Sequence, residues 1–181
     1  MIRTFIAVDL PDSFRDTIAE IQQEFKGNTK LVDPKQVHIT MKFLGDVSEK
    51  SAHEIKDALS GISCRPFAAK VHAVGAFPKP SYARVIYVGA HPKDAFNSLH
   101  ADVEQRLLPL GFKSEKRAFT PHATIARVKR VTKEQKMQIE SAIKRLSDVP
   151  IGTMDVTTIK LKKSTLTPAG AIYETLKEVH L

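Results

Sequence analysis

Two short stretches, His38-Ile39-Thr40-Met41-Lys42-Phe43-Leu44-Gly45 and His122-Ala123-Thr124-Ile125-Ala126-Arg127, lie 84 residues apart and constrain everything else in the chain. In each, apolar and polar residues alternate, the period of a strand with one buried and one polar face. His38, Thr40 and Lys42 share the polar face of the first, and His122 and Thr124 that of the second. Other features repeat at or close to this offset. Ser48 and Thr132, both suited to capping a helix, are also 84 apart. The stretch around Tyr82-Ala83-Arg84-Val85-Ile86-Tyr87 is echoed by Ala169-Gly170-Ala171-Ile172-Tyr173. Such a unit is far too long for a solenoid. It predicts an α+β fold built by duplication: two lobes related by a pseudo-twofold, each an antiparallel sheet backed by helices, with a cleft between them.

Read in order, the elements come twice. Thr4 to Val8 predicts a strand, and Pro11 with Asp12 suits the start of a helix with the stripe Phe14, Ile18, Ile21 and Phe25. Gly27-Asn28 ends that helix, and Leu31 to Pro34 reads as a connector. After the first His strand comes a helix carrying Ala52, Ile55, Leu59 and Ile62. A strand follows with Phe67, Ala69, Val71 and Ala73 alternating, then a turn at Phe77 to Ser81 and a returning strand from Arg84 to Gly89. The second half opens with a helix carrying Phe96, Leu99, Val103 and Leu107. A basic loop leads to the second His strand, and a capping box of Thr132 and Gln135 starts a helix carrying Ile139, Ile143 and Leu146. Met154 to Leu161 predicts one strand, Thr167 to Gly170 a turn, and Ala171 to Val179 the last strand. No linker divides the halves. Residues 1–181 are therefore expected to form a single bilobal domain, with internal repeats of about 1–90 and 84–181 whose lobes exchange strands.

The polar faces of the two His strands suit displacement at phosphorus. A pseudo-twofold sets His38 opposite His122, with Thr40 and Thr124 beside them. A neutral imidazole can take a proton from the attacking oxygen while an imidazolium gives one to the leaving oxygen, and in-line reaction needs the two on opposite sides. Histidine suits both roles because both forms are accessible near neutral pH. The threonine hydroxyls can donate to the non-bridging oxygens, where charge gathers. Two histidines with no nearby carboxylate or third histidine make a poor metal site, so no metal and no cofactor is expected.

Composition narrows the setting. The net charge of +8, from 28 Lys and Arg against 20 Asp and Glu, favours a polyanionic partner. No apolar run approaches the roughly 20 residues of a membrane span, and Met1 to Val8 reads as a strand rather than a signal peptide. The lone Cys64 excludes an internal disulfide. A cytoplasmic, monomeric protein with no membrane partner is the expectation.

The paired motifs resemble those of the 2H phosphoesterases, and most of all their RNA 2′,3′-cyclic phosphodiesterase branch, also known as 2′-5′ RNA ligases. The likeness spans nearly the full chain and extends to Phe5-Ile6-Ala7-Val8, Gly75-Ala76-Phe77-Pro78 and Ser164-Thr165-Leu166-Thr167-Pro168 with Tyr173-Glu174. It implies a bilobal fold and metal-independent hydrolysis of RNA 2′,3′-cyclic phosphate ends to 2′-phosphomonoesters. It also implies a weaker, reversible 2′-5′ ligation of tRNA halves. The alternative is a relative that only binds RNA or a nucleotide, against which two intact histidines argue.

A second rank of residues has two readings each. Strict alternation puts Lys42 on the His face, where it could meet phosphate or simply be solvated. It puts Phe43 on the core face and Arg127 beside Ala123 and Ile125, where an unpaired charge is costly. A bulge in both copies would instead bring Phe43 and Arg127 out above the site, where a base could stack between ring and guanidinium. Lys113, Lys116, Arg117, Lys129, Arg130, Lys133, Lys160, Lys162 and Lys163 could track an RNA backbone or be solvated. His53, His72, His91, His100 and His180 have no partner in the repeat and read as structural.

Overall fold

The computed structural model describes residues 1–27, 29–168 and 170–181. Strands β1 (Ile2–Asp9), β2 (Thr29–Leu31), β3 (His38–Val47), β4 (Phe67–Phe77), β5 (Val85–His91), β6 (His122–Val128), β7 (Pro150–Val156), β8 (Thr158–Thr167) and β9 (Gly170–His180) form one antiparallel sheet. Their order is β7-β4-β5-β6-β3-β1-β8-β9, with β2 also on β6. Four helices pack on it: α1 (Arg15–Gln23), α2 (Glu49–Leu59), α3 (Lys93–Leu107) and α4 (Lys133–Arg145).

This order divides about the junction of β3 and β6. One lobe is β3-β1-β8-β9 and the other β6-β5-β4-β7. The two expected sheets are thus continuous, but the β3–β6 ladder consists of one pair, Ile39 with Ala123. Strand β4, from the first half of the chain, lies in the lobe of the second His strand, and β8 and β9, from the end, lie in the lobe of the first. Helices follow suit: α1 packs on β6 and meets α4 through Glu24 and Arg145, while α2 packs on α3.

The helical stripes behave as their spacing dictates. Phe14, Ile18, Ile21 and Phe25 are buried around α1, and Phe96, Leu99, Val103 and Leu107 are fully buried on α3. Each such side chain contributes roughly 1.5–3 kcal/mol when removed from water. Ser48 accepts from the amide of Ser51 at 3.0 Å, and Thr132 and Gln135 form the full capping box.

Three expectations need correction. The connector after α1 includes a strand, β2, whose three residues are too few to show a period. The single strand expected over Met154 to Leu161 is two. Buried residues run Met154, Val156, then Ile159, Leu161, so the alternation slips by one at Thr157, where the chain passes from β7 in one lobe to β8 in the other. In β4 the alternation also slips, between His72 and Val74, and Val74 and Ala76 then face the core. Asn28, at the expected end of the first helix, and Ala169, in the expected last turn, lie outside the described residues.

Candidate active site

Ile39 and Ala123 are themselves 84 residues apart, so the one β3–β6 pair joins equivalent residues and the pseudo-twofold passes through it. Both side chains are buried. Their neighbours along each strand therefore point to the opposite face of the sheet. The antiparallel register sets His38 opposite Thr124 and Thr40 opposite His122. The two histidines occupy a diagonal, which in a regular ladder spans about 7–8 Å. A single bridging pair thus sets both imidazoles on one face of the sheet.

Each imidazole is held in the same way. His38 Nδ1 lies 2.7 Å from the carbonyl oxygen of Gln36, and His122 Nδ1 lies 2.6 Å from that of Thr120. A carbonyl only accepts, so Nδ1 carries the hydrogen and Nε2 is left for chemistry. Aromatic rings wall both. Phe5 stacks on His38 with centroids 4.9 Å apart, and Tyr173 meets it edge-on at 5.3 Å. Phe77 and Tyr87 meet His122 at 4.8 and 5.3 Å. Tyr87 reaches that place because residue 75 is glycine: a Cβ there would stand 2.5 Å from the phenol ring.

These walls disfavour the charged imidazole. Burial pushes the His38 pKa down to about 4; the Lys162 ammonium adds to this, and the Gln36 carbonyl and Asp9 oppose it. Burial also lowers His122, helped by Arg127 and opposed by the Thr120 carbonyl. Both rings thus favour the neutral form at pH 7. Asp9 is in turn flanked by Lys162 and Lys160. Burial would raise its carboxyl, but these two ammoniums hold it below the usual range.

Both strands bulge just past the motif. On β3 the register against β1 skips Met41, and on β6 the register against β5 skips Ile125. Met41 and Lys42 are therefore buried in succession, as are Ile125 and Ala126, and the next residue of each strand turns outward. Phe43 is 68% exposed and Arg127 is exposed. The bulge on β6 frees the carbonyl of Ile125, which accepts from the Val32 amide at 2.9 Å and from the buried Gln22 side chain at 2.8 Å.

The same bulge corrects the placement of Lys42. It lies not on the His face but in the core, 3% exposed, where its ammonium pairs with Glu104 and donates to the Lys113 carbonyl at 3.0 Å. Strict alternation fails because the extra residue turns Lys42 and Phe43 to the faces opposite those it assigns, until a second slip at Leu44 restores the phase and buries Val47. Lys160, Lys162 and Lys163 are also engaged, with Asp9, Glu178 and Glu174, rather than free.

Asp9, Phe5, Tyr173, Phe77 and Tyr87 are site neighbours to which sequence reasoning assigned no role. Four lie on strands flanking the motif strands or one strand beyond. Their approach depends on pairing order, which no local period reports. Among the described residues, no three His, Cys, Asp or Glu side chains are grouped to hold a metal, and no helix is long and apolar enough to cross a membrane.

Comparison with known proteins agrees with this geometry. Residues 10–165 match the model of the 2′-5′ RNA ligase superfamily. A Methanocaldococcus jannaschii protein named RNA 2′,3′-cyclic phosphodiesterase is 39% identical, over 98% of this chain and 99% of that one. One of the same name from Methanothermobacter thermautotrophicus is 35% identical over 99% of each. A crystal structure of Escherichia coli LigT complexed with 3′-AMP shares the fold, with a TM-score of 0.80 at 22% identity over 99% of this chain and 98% of that one. With two His-x-Thr strands meeting on a pseudo-twofold and a match across most of its length, the chain belongs to the 2′-5′ RNA ligase superfamily.

Proposed function

We propose that the chain hydrolyses 2′,3′-cyclic phosphate at the end of an RNA strand to a 2′-phosphomonoester, using His38 and His122 as a proton-exchanging pair and no metal. One observation carries this: two imidazoles, each tethered through Nδ1 to a carbonyl and free at Nε2, flank the pair of residues on the pseudo-twofold. The relatives' shared name supplies the substrate class.

The chemistry follows from that arrangement. A phosphodiester anion beside the pair favours imidazolium, so the pair takes up one proton as substrate binds. The neutral ring takes a proton from water through Nε2 as the water oxygen bonds to phosphorus. The P–O3′ bond breaks on the opposite side, and the imidazolium gives its proton to O3′. Thr40 and Thr124 donate to the non-bridging oxygens. Phe43 and Arg127, turned outward by matching bulges, hold the terminal base by stacking. Replacing water with the 5′-hydroxyl of a second RNA gives 2′-5′ ligation of two halves. The lone thiol of Cys64 and the single bilobal unit suit a cytoplasmic monomer.

The test is turnover, in EDTA, of a synthetic oligonucleotide ending in 2′,3′-cyclic phosphate, with the product's phosphate position determined by NMR. A 2′-phosphate is expected. A 3′-phosphate would overturn the regiochemistry. Loss of turnover in EDTA, restored by zinc or manganese, would overturn the proton-transfer mechanism. Binding without turnover would leave a non-catalytic RNA-binding relative.

A further inference from the structure

Strand β6 leaves the cleft at His122 and ends at Val128, roughly 20 Å away at a rise of about 3.3 Å per residue. There it meets a groove of about 340 Å³ lined by Tyr82, Arg84, Lys129, Arg130 and Lys136 among others. Four elements build it. The single turn Pro80–Tyr82 brings the tyrosine, β5 and β6 are joined at their ends by the Val128 amide donating to the Arg84 carbonyl at 3.0 Å, and the capping box at Thr132 sets the start of α4 and with it Lys136.

Its chemistry is distinctive. Arg84, Lys129, Arg130 and Lys136 are all exposed, and no carboxylate lines the groove among the described residues. Other basic side chains of this molecule, such as Lys144, Arg145 and Lys160, stand within ion-pair distance of Glu or Asp. Tyr82 shares the groove with the four cations, with the Arg84 guanidinium 4.9 Å and the Lys136 ammonium 5.6 Å from its ring centroid. Arg84 Nη2 also donates to the phenol oxygen at 2.6 Å. The ring is thereby held in place yet 43% exposed. Cations without counter-charges around an exposed, oriented aromatic face suit successive phosphates and one stacked base.

We propose that this groove is a second binding site, for single-stranded RNA several nucleotides upstream of the end that enters the cleft. This rests on the cleft's reading as a site for RNA ends. The cleft holds the terminal nucleotide, Arg127 lies at its rim one residue before Val128, and the groove takes the strand that continues from it. Chain-length preference, not chemistry, is what the groove supplies.

The experiment uses two probes and two variants. Binding of a fluorescent single-stranded RNA dodecamer with an ordinary 3′-hydroxyl is followed by anisotropy over a range of salt. Turnover is measured on a 2′,3′-cyclic mononucleotide and on a cyclic-ended dodecamer. In Lys129→Ala/Arg130→Ala, dodecamer affinity should fall about tenfold or more and the salt slope by about 1.4, at 0.7 per phosphate contact on single strands. Tyr82→Ala should weaken the dodecamer about five-fold or more without changing the slope, as loss of stacking requires. Turnover of the mononucleotide should stay as in the parent. Unchanged dodecamer binding in both variants overturns the groove, as does a parallel fall on mononucleotide and dodecamer. If the parent fails to cleave either cyclic substrate while dodecamer binding still depends on these residues, the cleft's reading falls and the groove stands.

Discussion

Lys42 offers the sharpest test of how the bulge on β3 organises the molecule. Its ammonium is buried against Glu104, itself only 8% exposed, and also holds the carbonyl of Lys113. Burial would raise the Glu104 carboxyl, but bonds from Lys42 and Ser114 hold it low and charged. Lys42→Met keeps the length of the side chain and removes the cation, leaving that carboxylate without its main partner. Removing one member of a buried pair costs about 3–5 kcal/mol, whereas replacing both by apolar residues is often close to neutral. Lys42→Met/Glu104→Leu should therefore recover most of the loss. Urea unfolding is the assay. With a slope of about 2 kcal/mol per molar, the single variant's midpoint should fall by roughly 1.5–2.5 M and the double variant's by much less. Turnover of a cyclic mononucleotide by the double variant should stay within a few-fold of the parent. Two results would refute the reasoning: a single-variant cost below about 1 kcal/mol, or a stable double variant that has lost turnover about 100-fold. The second would mean that Lys42 meets the phosphate after all.

Two further outcomes follow from the site. His38, held at about 4 against an ordinary 6.5, binds its proton more weakly folded than unfolded. Its contribution is fully present above about pH 6.5 and is lost as pH falls toward 4, a change of about 3 kcal/mol; in His38→Gln that part of the stability–pH slope should vanish, and a parent imidazole titrating near 6.5 by NMR would contradict the burial argument. Phe43→Ala or Arg127→Ala should raise KM for cyclic-ended RNA about five- to a hundred-fold, the worth of one stacked base, with kcat nearly unchanged; an unchanged KM would remove that residue from base binding.

Much of this molecule is legible in the chain. The α1 and α3 stripes are spaced by local helical geometry, and the burial of Phe14, Ile18, Phe96 and Leu99 follows from it. The repeat of His-x-Thr, together with its caps, implies the pseudo-twofold, and Ile39 paired with Ala123 is where that symmetry becomes a contact. Pairing order is harder. That β4 crosses to the lobe of β6 while β8 returns to β1 depends on long-range ladders with no local signal. The bulges at Met41 and Ile125 are intermediate: the charge on Arg127 pointed to a break in alternation, and Phe43 shares its position in the repeat. Strict alternation misplaces Lys42 because it does not register the bulge at Met41, and its partner Glu104 lies 62 residues away on α3.

Dependence of rate on pH tests the two-histidine account most directly. Hydrolysis of a cyclic-ended oligonucleotide by the parent, His38→Gln and His122→Gln should be followed from about pH 3.5 to 9, which spans both the lowered titration of His38 and the range in which histidine usually titrates. A pair that must be half protonated gives a bell, because the base is lost at low pH and the acid at high pH. Each substitution should cut turnover at least about 100-fold and leave a residual profile with one limb. A flat parent profile, or near-normal rates in either variant, would mean that these imidazoles bind the phosphate without moving protons.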